Sequence, residues 1–225
     1  MKLFLGGGGG KEDSIEMDKK FVANLDLSKP ILYIPIAINT HKYPYSGCVA
    51  WLSDVLIPLG VKNIVMWVED DLKQKSEKDF EQFAGIYIGG GNTFKLLNEL
   101  KEFGTFEILR KLVQKDIPIY GGSAGAIIFA KTIIPAISAD KNEVGLTDFS
   151  ALNLVQDYDI WCHYSESMDS MVKDYMDKYD LKKIIAIPKS AGLFMTENFI
   201  EVVGPSIVLV FKENMKEEVK ESNLI

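Results

Sequence analysis

Cysteine and histidine are both scarce in this sequence, with two residues of each type among 225. Two cysteines, Cys48 and Cys162, cannot form the multi-bridge framework of a small secreted domain, so a reducing cytoplasm is the simplest location. The cysteines and histidines also lack the C-x-x-C and H-x-x-x-H spacings that are typical of zinc sites. We therefore predict a cytoplasmic protein that uses no metal and no other cofactor.

Basic residues and long apolar runs are scarce as well. The chain has 25 Lys and Arg against 32 Asp and Glu, a net charge of −7. This charge argues against nucleic acid as a partner, because nucleic-acid binding depends on Lys and Arg that neutralise phosphates. No uncharged apolar run approaches the length that spans a bilayer, and residues 3–5 before the glycine run are too short for a signal peptide. We expect neither a nucleic-acid nor a membrane partner.

Hydrophobic residues make up 47% of the chain and charged residues 25%, proportions that are ordinary for a soluble globular protein. A chain of 225 residues is long enough to bury a substantial core. We find no internal repeat and no low-complexity linker, so we predict one domain that spans residues 1–225. The sequence leaves open whether this domain is a monomer or a homodimer.

The first half of the chain alternates strand and helix patterns. Apolar strand patterns occur at Lys2–Leu5, Ile31–Ile36, Val61–Val68, Gly85–Ile88 and Ile117–Tyr120, and helix patterns separate them. This alternation is typical of βαβ units and of a parallel sheet covered on both faces. Ligands of such sheets bind at the carboxyl ends of the strands.

The second half is less regular. Thr132–Ser138 is apolar but contains Pro135, so we expect an irregular or edge segment there. Tyr158–His163 and Lys183–Ile187 are predicted strands, and Met168–Tyr179 is a predicted helix. Short strand patterns at residues 191–196, 199–203 and 206–211 predict hairpins that close the sheet, and the charged residues 212–225 are expected to fray.

The segment Ile117–Ala130 contains the pattern G-x-S-x-G, from Gly121 to Gly125. A strand, a sharp turn and a helix are predicted around Ser123, as in a nucleophile elbow. Small neighbours permit the strained backbone of such a turn, and the helix directs free N–H groups to the place where an oxyanion would form. An ordinary turn in which serine caps the helix is the alternative.

A serine nucleophile usually needs a general base, most often histidine. The candidates are His41, in the loop after the second strand, and His163, at the end of a later strand. Either could instead be a loop or core histidine with local hydrogen bonds. Cys162 precedes His163, and successive strand residues point to opposite faces, so we interpret Cys162 as a small buried hydrophobic residue.

Five consecutive glycines, Gly6 to Gly10, follow the first strand. No Gly-Lys-Ser/Thr follows them, and Lys11 occupies the position of the third glycine of a dinucleotide-binding motif, so the run does not fit a phosphate loop. We interpret it as a flexible turn that comes close to another loop.

Three motifs together resemble peptidase family S51, which contains the aspartyl dipeptidase peptidase E and the cyanophycinases. They are the turn at residues 86–94 (IYIGGGNTF), the elbow at residues 121–126 (GGSAGA) and the segment at residues 149–154 (FSALNL), which His163 follows. The resemblance implies a flavodoxin-like three-layer α/β sandwich with a mostly parallel central sheet, similar to class I glutamine amidotransferases.

The resemblance also implies a catalytic triad. Ser123 matches the family nucleophile and His163 matches the family histidine. Asp140 matches the aspartate that precedes the FDALNL-like segment, and Glu143 is a nearby alternative because cyanophycinases use glutamate. The backbone N–H groups of Gly91 and Ala124 match the oxyanion hole.

The implied activity is that of a serine peptidase that hydrolyses short peptides through an acyl-enzyme, with aspartate-containing dipeptides as candidate substrates. Candidate substrate-binding residues are Asn92, Thr93, Tyr164 and Lys189. The chain departs from the family at Cys162, where a proline commonly precedes the histidine. It also has Lys189 where a Leu-Pro-Glu-Gly segment carries an acidic residue, which leaves specificity for an N-terminal aspartate open.

Two other classes of function remain. A member of the family could bind a small ligand or partner without turnover, and such a protein would show His163 turned away from Ser123. An α/β-hydrolase esterase shares the elbow and the order Ser, Asp, His, but it usually has more strands and helices between the nucleophile and the histidine.

Overall fold

The computed structural model describes residues 1–213 and 215–219. Its strands are β1 (Leu3–Gly6), β2 (Ile31–Ile34), β3 (Ile64–Met66), β4 (Gly85–Ile88), β5 (Ile119–Gly122), β6 (Asp159–Cys162), β7 (Lys183–Ile187), β8 (Gly192–Met195), β9 (Ile200–Val203), β10 (Leu209–Lys212) and β11 (Met215–Glu218). Its α-helices are α1 (Lys11–Val22), α2 (Tyr45–Leu56), α3 (Glu69–Leu72), α4 (Glu77–Phe80), α5 (Thr93–Glu102), α6 (Thr105–Gln114), α7 (Ala124–Ile127) and α8 (Asp169–Tyr179).

The central sheet has seven strands in the order β3-β2-β4-β5-β1-β8-β9. Strands β1 to β5 pair in parallel, and β8 and β9 add an antiparallel edge. Every residue of β1, β2 and β4 is buried, as expected for strands covered on both faces. The predicted α/β sandwich with a mostly parallel sheet is confirmed.

Alternate residues of the strands build a core on each side of the sheet. Leu3 and Leu5 of β1 belong to the core on the side of α5, α6 and α7, whereas Phe4 between them belongs to the core on the side of α1 and α2. The second core is rich in aromatic rings: Tyr87 and Tyr120 stack with their centroids 4.3 Å apart, and Phe21 of α1 meets Tyr120 edge-on.

A second sheet of four strands, in the order β11-β10-β7-β6, was not predicted. The hairpins expected at the end of the chain divide between the two sheets: β8 and β9 extend the central sheet, and β10 pairs with β7. Trp161, Ile184 and Phe211 form a third core between this sheet and α8.

The expectation that residues 212–225 fray is wrong for Met215–Glu218, which pair with β10 as β11. Their side chains are all exposed, so backbone hydrogen bonds rather than burial hold this charged strand in place. Asn214 and residues 220–225, which the same expectation covers, lie outside the described residues. The irregular segment predicted around Pro135 is confirmed as a 3-10 helix at Ile134–Ser138.

No helix in residues 1–213 and 215–219 has the length and apolarity needed to cross a membrane.

The carboxyl ends of three neighbouring strands, β4, β5 and β1, lie at one edge of the central sheet. The segments that leave this edge are the glycine turn Gly89–Gly91, the elbow at Ser123 and the glycine run that begins at Gly6. His163 follows β6 of the second sheet, and its N–H donates to the Gly7 carbonyl at 3.0 Å. The fold thus joins both sheets at the predicted site.

Candidate active site

Ser123 occupies a strained turn between β5 and α7. Its φ of 52° and ψ of −113° are unusual for a residue with a side chain, and such a conformation costs about 1–3 kcal/mol unless its surroundings hold it. The Ser123 N–H donates to the Gly6 carbonyl at 3.0 Å, which ties the turn to the end of β1. The predicted strand-turn-helix elbow is therefore present, and the serine side chain is directed to the sheet edge.

His163 meets Ser123 across this edge. The Oγ atom of Ser123 lies 2.7 Å from Nε2 of His163, within the hydrogen-bond reach of a nucleophile and its base. His163 also has a positive φ, 55°. The orientation of His163 is the one that a catalytic pair requires, and the turned-away histidine of a pure binding protein is not found.

The glycine run holds both members of this pair. The carbonyls of Gly6 and Gly7 accept the N–H groups of Ser123 and His163, each at 3.0 Å. Gly8 has a φ of +93°, and a Cβ on it would lie 2.5 Å from His163 Cε1 and 2.6 Å from Ser123 Cβ. The run is therefore close to another loop, as interpreted, and glycine is required at Gly8 by both conformation and space.

The pKa of His163 is lowered from its ordinary value of 6.5. Burial of the imidazole is the largest cause, the positive charge of Lys189 lowers the pKa further, and the negative charge of Asp140 raises it. His163 is therefore neutral at neutral pH, so Nε2 can accept the hydrogen of the Ser123 hydroxyl. Such a pair can remove the hydroxyl proton as the oxygen attacks.

Asp140 lies near the imidazole but hydrogen-bonds elsewhere. Its Oδ2 accepts the backbone N–H of Thr93, the first residue of α5, at 2.8 Å. Among the described residues no hydrogen bond joins Asp140 to His163, so the bond of an ordinary triad is not formed in this conformation. A helix N-terminus attracts a carboxylate, which explains this partner. Glu143, the alternative, is exposed.

The two glycine turns come together beside Ser123. A Cβ on Gly90 would lie 3.2 Å from Ser123 Cβ. Gly91 has a φ of +142° and packs against Ala37, whose carbonyl accepts the Asn92 N–H at 2.8 Å. Ala124 is the first residue of α7, where N–H groups have no acceptor within the helix.

Two neighbouring cavities share Ser123 in their walls. One, of about 310 Å³, lies between the sheet and helices α1 and α2. We call it the aromatic cavity, because its walls include Tyr33, Trp51, Tyr87 and Tyr120. The other, of about 660 Å³, is called the histidine cavity, because His163, Asp140 and Trp161 line it.

The candidate substrate-binding residues are placed differently from one another. Thr93 lines the histidine cavity, and Lys189 lines the aromatic cavity at an exposed position. Asn92 caps α5: its side chain accepts the Lys95 N–H and donates to the carbonyl of Lys141. Its amide is thus engaged within the protein.

Tyr164 is not brought to Ser123. Its hydroxyl donates to Asp169, and it lines a separate groove with Pro205 and Ile207. His41 is exposed in its loop and lines neither of the two cavities. Cys162 is buried as interpreted, and burial raises the pKa of its thiol to about 12, so it is not a reactive thiolate.

Sequence reasoning missed the aromatic cavity and the holding role of the glycine run. The aromatic walls come from β2, α2, β4 and β5, and each ring reads in the sequence as an ordinary core residue. The length of the glycine run could have indicated this role, because a loop that packs closely between two other segments has no room for side chains. The sequence did not indicate which segments those were.

Comparisons with known proteins agree with this geometry. The sequence profile of peptidase family S51 matches residues 3–203. Peptidase E of Haemophilus influenzae is 28% identical over 172 residues, which are 69% of this chain and 71% of the relative. An uncharacterised peptidase of Listeria monocytogenes is 36% identical over 186 residues, 77% of this chain and 86% of the relative.

Solved structures show the same fold. The crystal structure of a Listeria monocytogenes EGD-e protein assigned to peptidase E superposes with a TM-score of 0.71 and 26% identity, covering 91% of this chain and 98% of that one. A peptidase from an acI-B1 actinobacterium also gives a TM-score of 0.71, at 17% identity over 97% of this chain and 93% of its own, and supports the fold. Because the family profile spans most of the chain, this protein belongs to peptidase family S51 and is a hydrolase of the serine peptidase class.

Proposed function

We propose that this protein hydrolyses short peptides through an acyl-enzyme formed on Ser123. The observation that carries the proposal is the 2.7 Å contact between Ser123 Oγ and His163 Nε2. In this scheme Oγ attacks the scissile carbonyl while Nε2 takes its proton. The same nitrogen then gives the proton to the departing amine, and water releases the acyl group by the reverse route.

The oxyanion of the tetrahedral intermediate is assigned to the N–H groups of Gly91 and Ala124. The proximity of the two glycine turns at Ser123 supports this assignment. A single donor of this kind contributes about 3–4 kcal/mol to transition-state stabilisation in another serine protease. We expect a peptide boronate bound to Ser123 to direct its oxygen at both N–H groups in a crystal structure, and an oxygen facing solvent would contradict the assignment.

Asp140 is the proposed third member of the triad. Its negative charge already favours the protonated form of His163, which is the form that the attack of Ser123 creates. We propose that Asp140 stabilises this imidazolium through its charge while the Thr93 N–H holds the carboxylate at 2.8 Å. Glu143 is exposed and is the weaker candidate.

Short peptides are the proposed substrates because Ser123 is half-buried between two cavities of about 310 and 660 Å³. Cavities of this size admit a few amino-acid residues but not a folded chain. Aspartate-containing dipeptides belong among the peptides tested, since relatives named peptidase E match this chain. The reducing cytoplasm is the proposed location, in accord with the free, buried Cys48 and Cys162.

The test is hydrolysis of a peptide library of two to six residues, together with covalent labelling by a fluorophosphonate. We expect cleavage and a single label on Ser123, both lost in Ser123→Ala and both kept in Ser28→Ala, a variant of an exposed serine that lines neither cavity. Labelling of another residue, or equal cleavage by Ser123→Ala, would refute the proposal. Cleavage of esters but of no peptide would favour an esterase.

A further inference from the structure

The aromatic cavity is a preformed pocket beside Ser123. Tyr33, Tyr87 and Tyr120 rise from β2, β4 and β5 to form its floor, and Trp51 of α2 forms a wall. The rings are held by their neighbours: Tyr33 meets Tyr87 edge-on with centroids 5.8 Å apart, and Trp51 meets Tyr87 edge-on at 6.4 Å. A pocket built of mutually packed rings keeps its shape when it is empty.

Large apolar side chains at the mouth of this pocket remain exposed. Tyr43 is 52% exposed and Trp51 is 38% exposed, and both line the cavity. Exposed aromatic surface is unfavourable in water in proportion to its area. An apolar ligand group that entered the pocket would cover part of it.

The walls of the aromatic cavity offer almost no charge. Among the residues that line it in the described part of the chain, Lys189 alone carries a formal charge, and Lys189 is exposed. Burial raises the pKa values of Tyr33, Tyr87 and Tyr120, so their hydroxyls stay neutral. A charged side chain in the pocket would therefore lose its water without gaining a buried partner, which is costly.

Asp18 lies behind the pocket rather than in it. Its side chain has no exposed surface, and its Oδ2 accepts the hydroxyl of Ser14 at 2.7 Å. Ser14 lines the cavity, and Asp18 does not. The carboxyl is thus one side chain removed from any ligand.

The chemistry of the cleavage step fixes which part of a peptide meets this pocket. His163 must deliver a proton to the departing amine, and His163 lines the histidine cavity and not the aromatic cavity. The departing part of the substrate therefore lies in the histidine cavity. Ser123 lines both cavities, so a peptide whose departing part occupies the histidine cavity can extend from Ser123 into the aromatic cavity with the residue that supplies the scissile carbonyl.

We infer that the substrate residue that acylates Ser123 carries a neutral aromatic or large aliphatic side chain, which enters the aromatic cavity. This inference rests on the proposed peptidase function and names the substrate class of that site. Small side chains leave the pocket empty, and acidic or basic side chains are rejected. One apolar group in a hydrophobic pocket changes kcat/KM by about 10- to 200-fold.

The experiment compares five dipeptides that differ only in the first residue: Phe-Leu, Leu-Leu, Ala-Leu, Asp-Leu and Lys-Leu. We expect kcat/KM for Phe-Leu or Leu-Leu to exceed that for Ala-Leu by at least about tenfold, with Asp-Leu and Lys-Leu cleaved still more slowly. A preference for Asp-Leu or for Lys-Leu would overturn the inference. Loss of an Asp-Leu preference in Lys189→Gln, or of a Lys-Leu preference in Asp18→Asn, would then identify the charged group that binds the side chain.

A variant that fills the aromatic cavity tests whether the side chain of the acylating substrate residue enters it. Gly47 of α2 lines the cavity, and the nearest atom to a Cβ on it would be Pro44 Cγ at 4.0 Å, so there is room for a side chain. We expect Gly47→Leu to lower the Phe-Leu to Ala-Leu ratio of kcat/KM at least about tenfold, and the matched Gly47→Ala to lower it less. Equal ratios in folded Gly47→Leu and wild-type protein would overturn the inference. If Gly47→Leu does not fold, Trp51→Ala, which removes a partly exposed wall, takes its place with the same expected direction.

A binding measurement separates this inference from the proposed function. Calorimetry with Ser123→Ala and the same dipeptides needs no turnover, and we expect Phe-Leu to bind at least tenfold more tightly than Asp-Leu and Lys-Leu. Selective binding without hydrolysis by the wild type would refute the peptidase function alone. Hydrolysis of all five dipeptides at similar rates would leave the function standing and overturn the inference.

Discussion

Ser123 and His163 are joined by a 2.7 Å hydrogen bond, and each has a positive φ that residues with side chains rarely adopt. Their N–H groups donate to the carbonyls of two consecutive glycines, Gly6 and Gly7. One short loop therefore fixes the relative positions of two strained residues that follow strands of different sheets. Strain that the surroundings maintain is common at functional sites, where it fixes a geometry before the substrate arrives.

Removal of either member of this pair should abolish hydrolysis. We expect Ser123→Ala and His163→Gln each to reduce kcat by at least about 10³-fold, because the two residues act as one unit. The double variant should be scarcely slower than either single variant, which steady-state kinetics would measure. Additive losses in the double variant would contradict a shared role.

The pH profile should report the environment of His163. Because burial and Lys189 lower the pKa of His163 below 6.5, the acid limb of kcat/KM should have its midpoint below that value. Removal of the Lys189 charge in Lys189→Gln should raise the pKa and move the limb to higher pH. Asp140→Asn should move it to lower pH, because the charge of Asp140 raises the pKa. Shifts in the same direction for both variants would show that the charges do not act on His163 as stated.

The glycine run should tolerate a methyl group at one end and not in the middle. Gly8→Ala would place Cβ within 2.6 Å of both Ser123 and His163 at a φ of +93°, so we expect loss of activity and a lower free energy of unfolding. Gly10→Ala is the matched control, since its Cβ would meet nothing closer than Asp13 Oδ2 at 3.9 Å. Peptide hydrolysis and thermal unfolding of the two variants measure the difference. Full activity in Gly8→Ala would show that the loop can move aside.

Asp18 should make the protein less stable as the pH rises. Burial raises the pKa of Asp18 from 3.8 to about 6, and the Ser14 hydroxyl bond only partly opposes it. A carboxyl whose pKa is raised on folding does not lower the free energy of unfolding below pH 3.8, where it is protonated in both states. Above pH 6 it lowers that free energy by its full penalty, about 3 kcal/mol at 1.4 kcal/mol per pKa unit.

We therefore expect Asp18→Asn to stabilise the protein at pH 8 and to have little effect near pH 4. Denaturant unfolding at both values measures the change in free energy. Asp174→Asn, a substitution of an exposed carboxylate, is the control and should show no such pH dependence. Destabilisation by Asp18→Asn at pH 8 would mean that the ionised carboxylate has a partner that this conformation does not show.

The sequence by itself determined the alternation of strands and helices and the elbow at Ser123, through apolar runs between breakers and small residues around a strained turn. Local patterns left His41 and His163 both open, and His163 was chosen because of the resemblance to family S51. The strands Gly85–Ile88 and Lys183–Ile187 were predicted with the bounds that the structure has. Val61–Val68 was too long, since only Ile64–Met66 pairs with β2.

Only the tertiary structure decided which distant segments meet. β10 pairs with β7 in the second sheet, and Asp140 accepts the N–H of Thr93. Both results depend on hydrogen bonds between residues far apart in the chain. The aromatic cavity is assembled from four separate elements, and no local pattern distinguishes a ring that lines a cavity from one that fills a core. Local propensity specifies the elements, whereas the space left between packed elements exists only after they have come together.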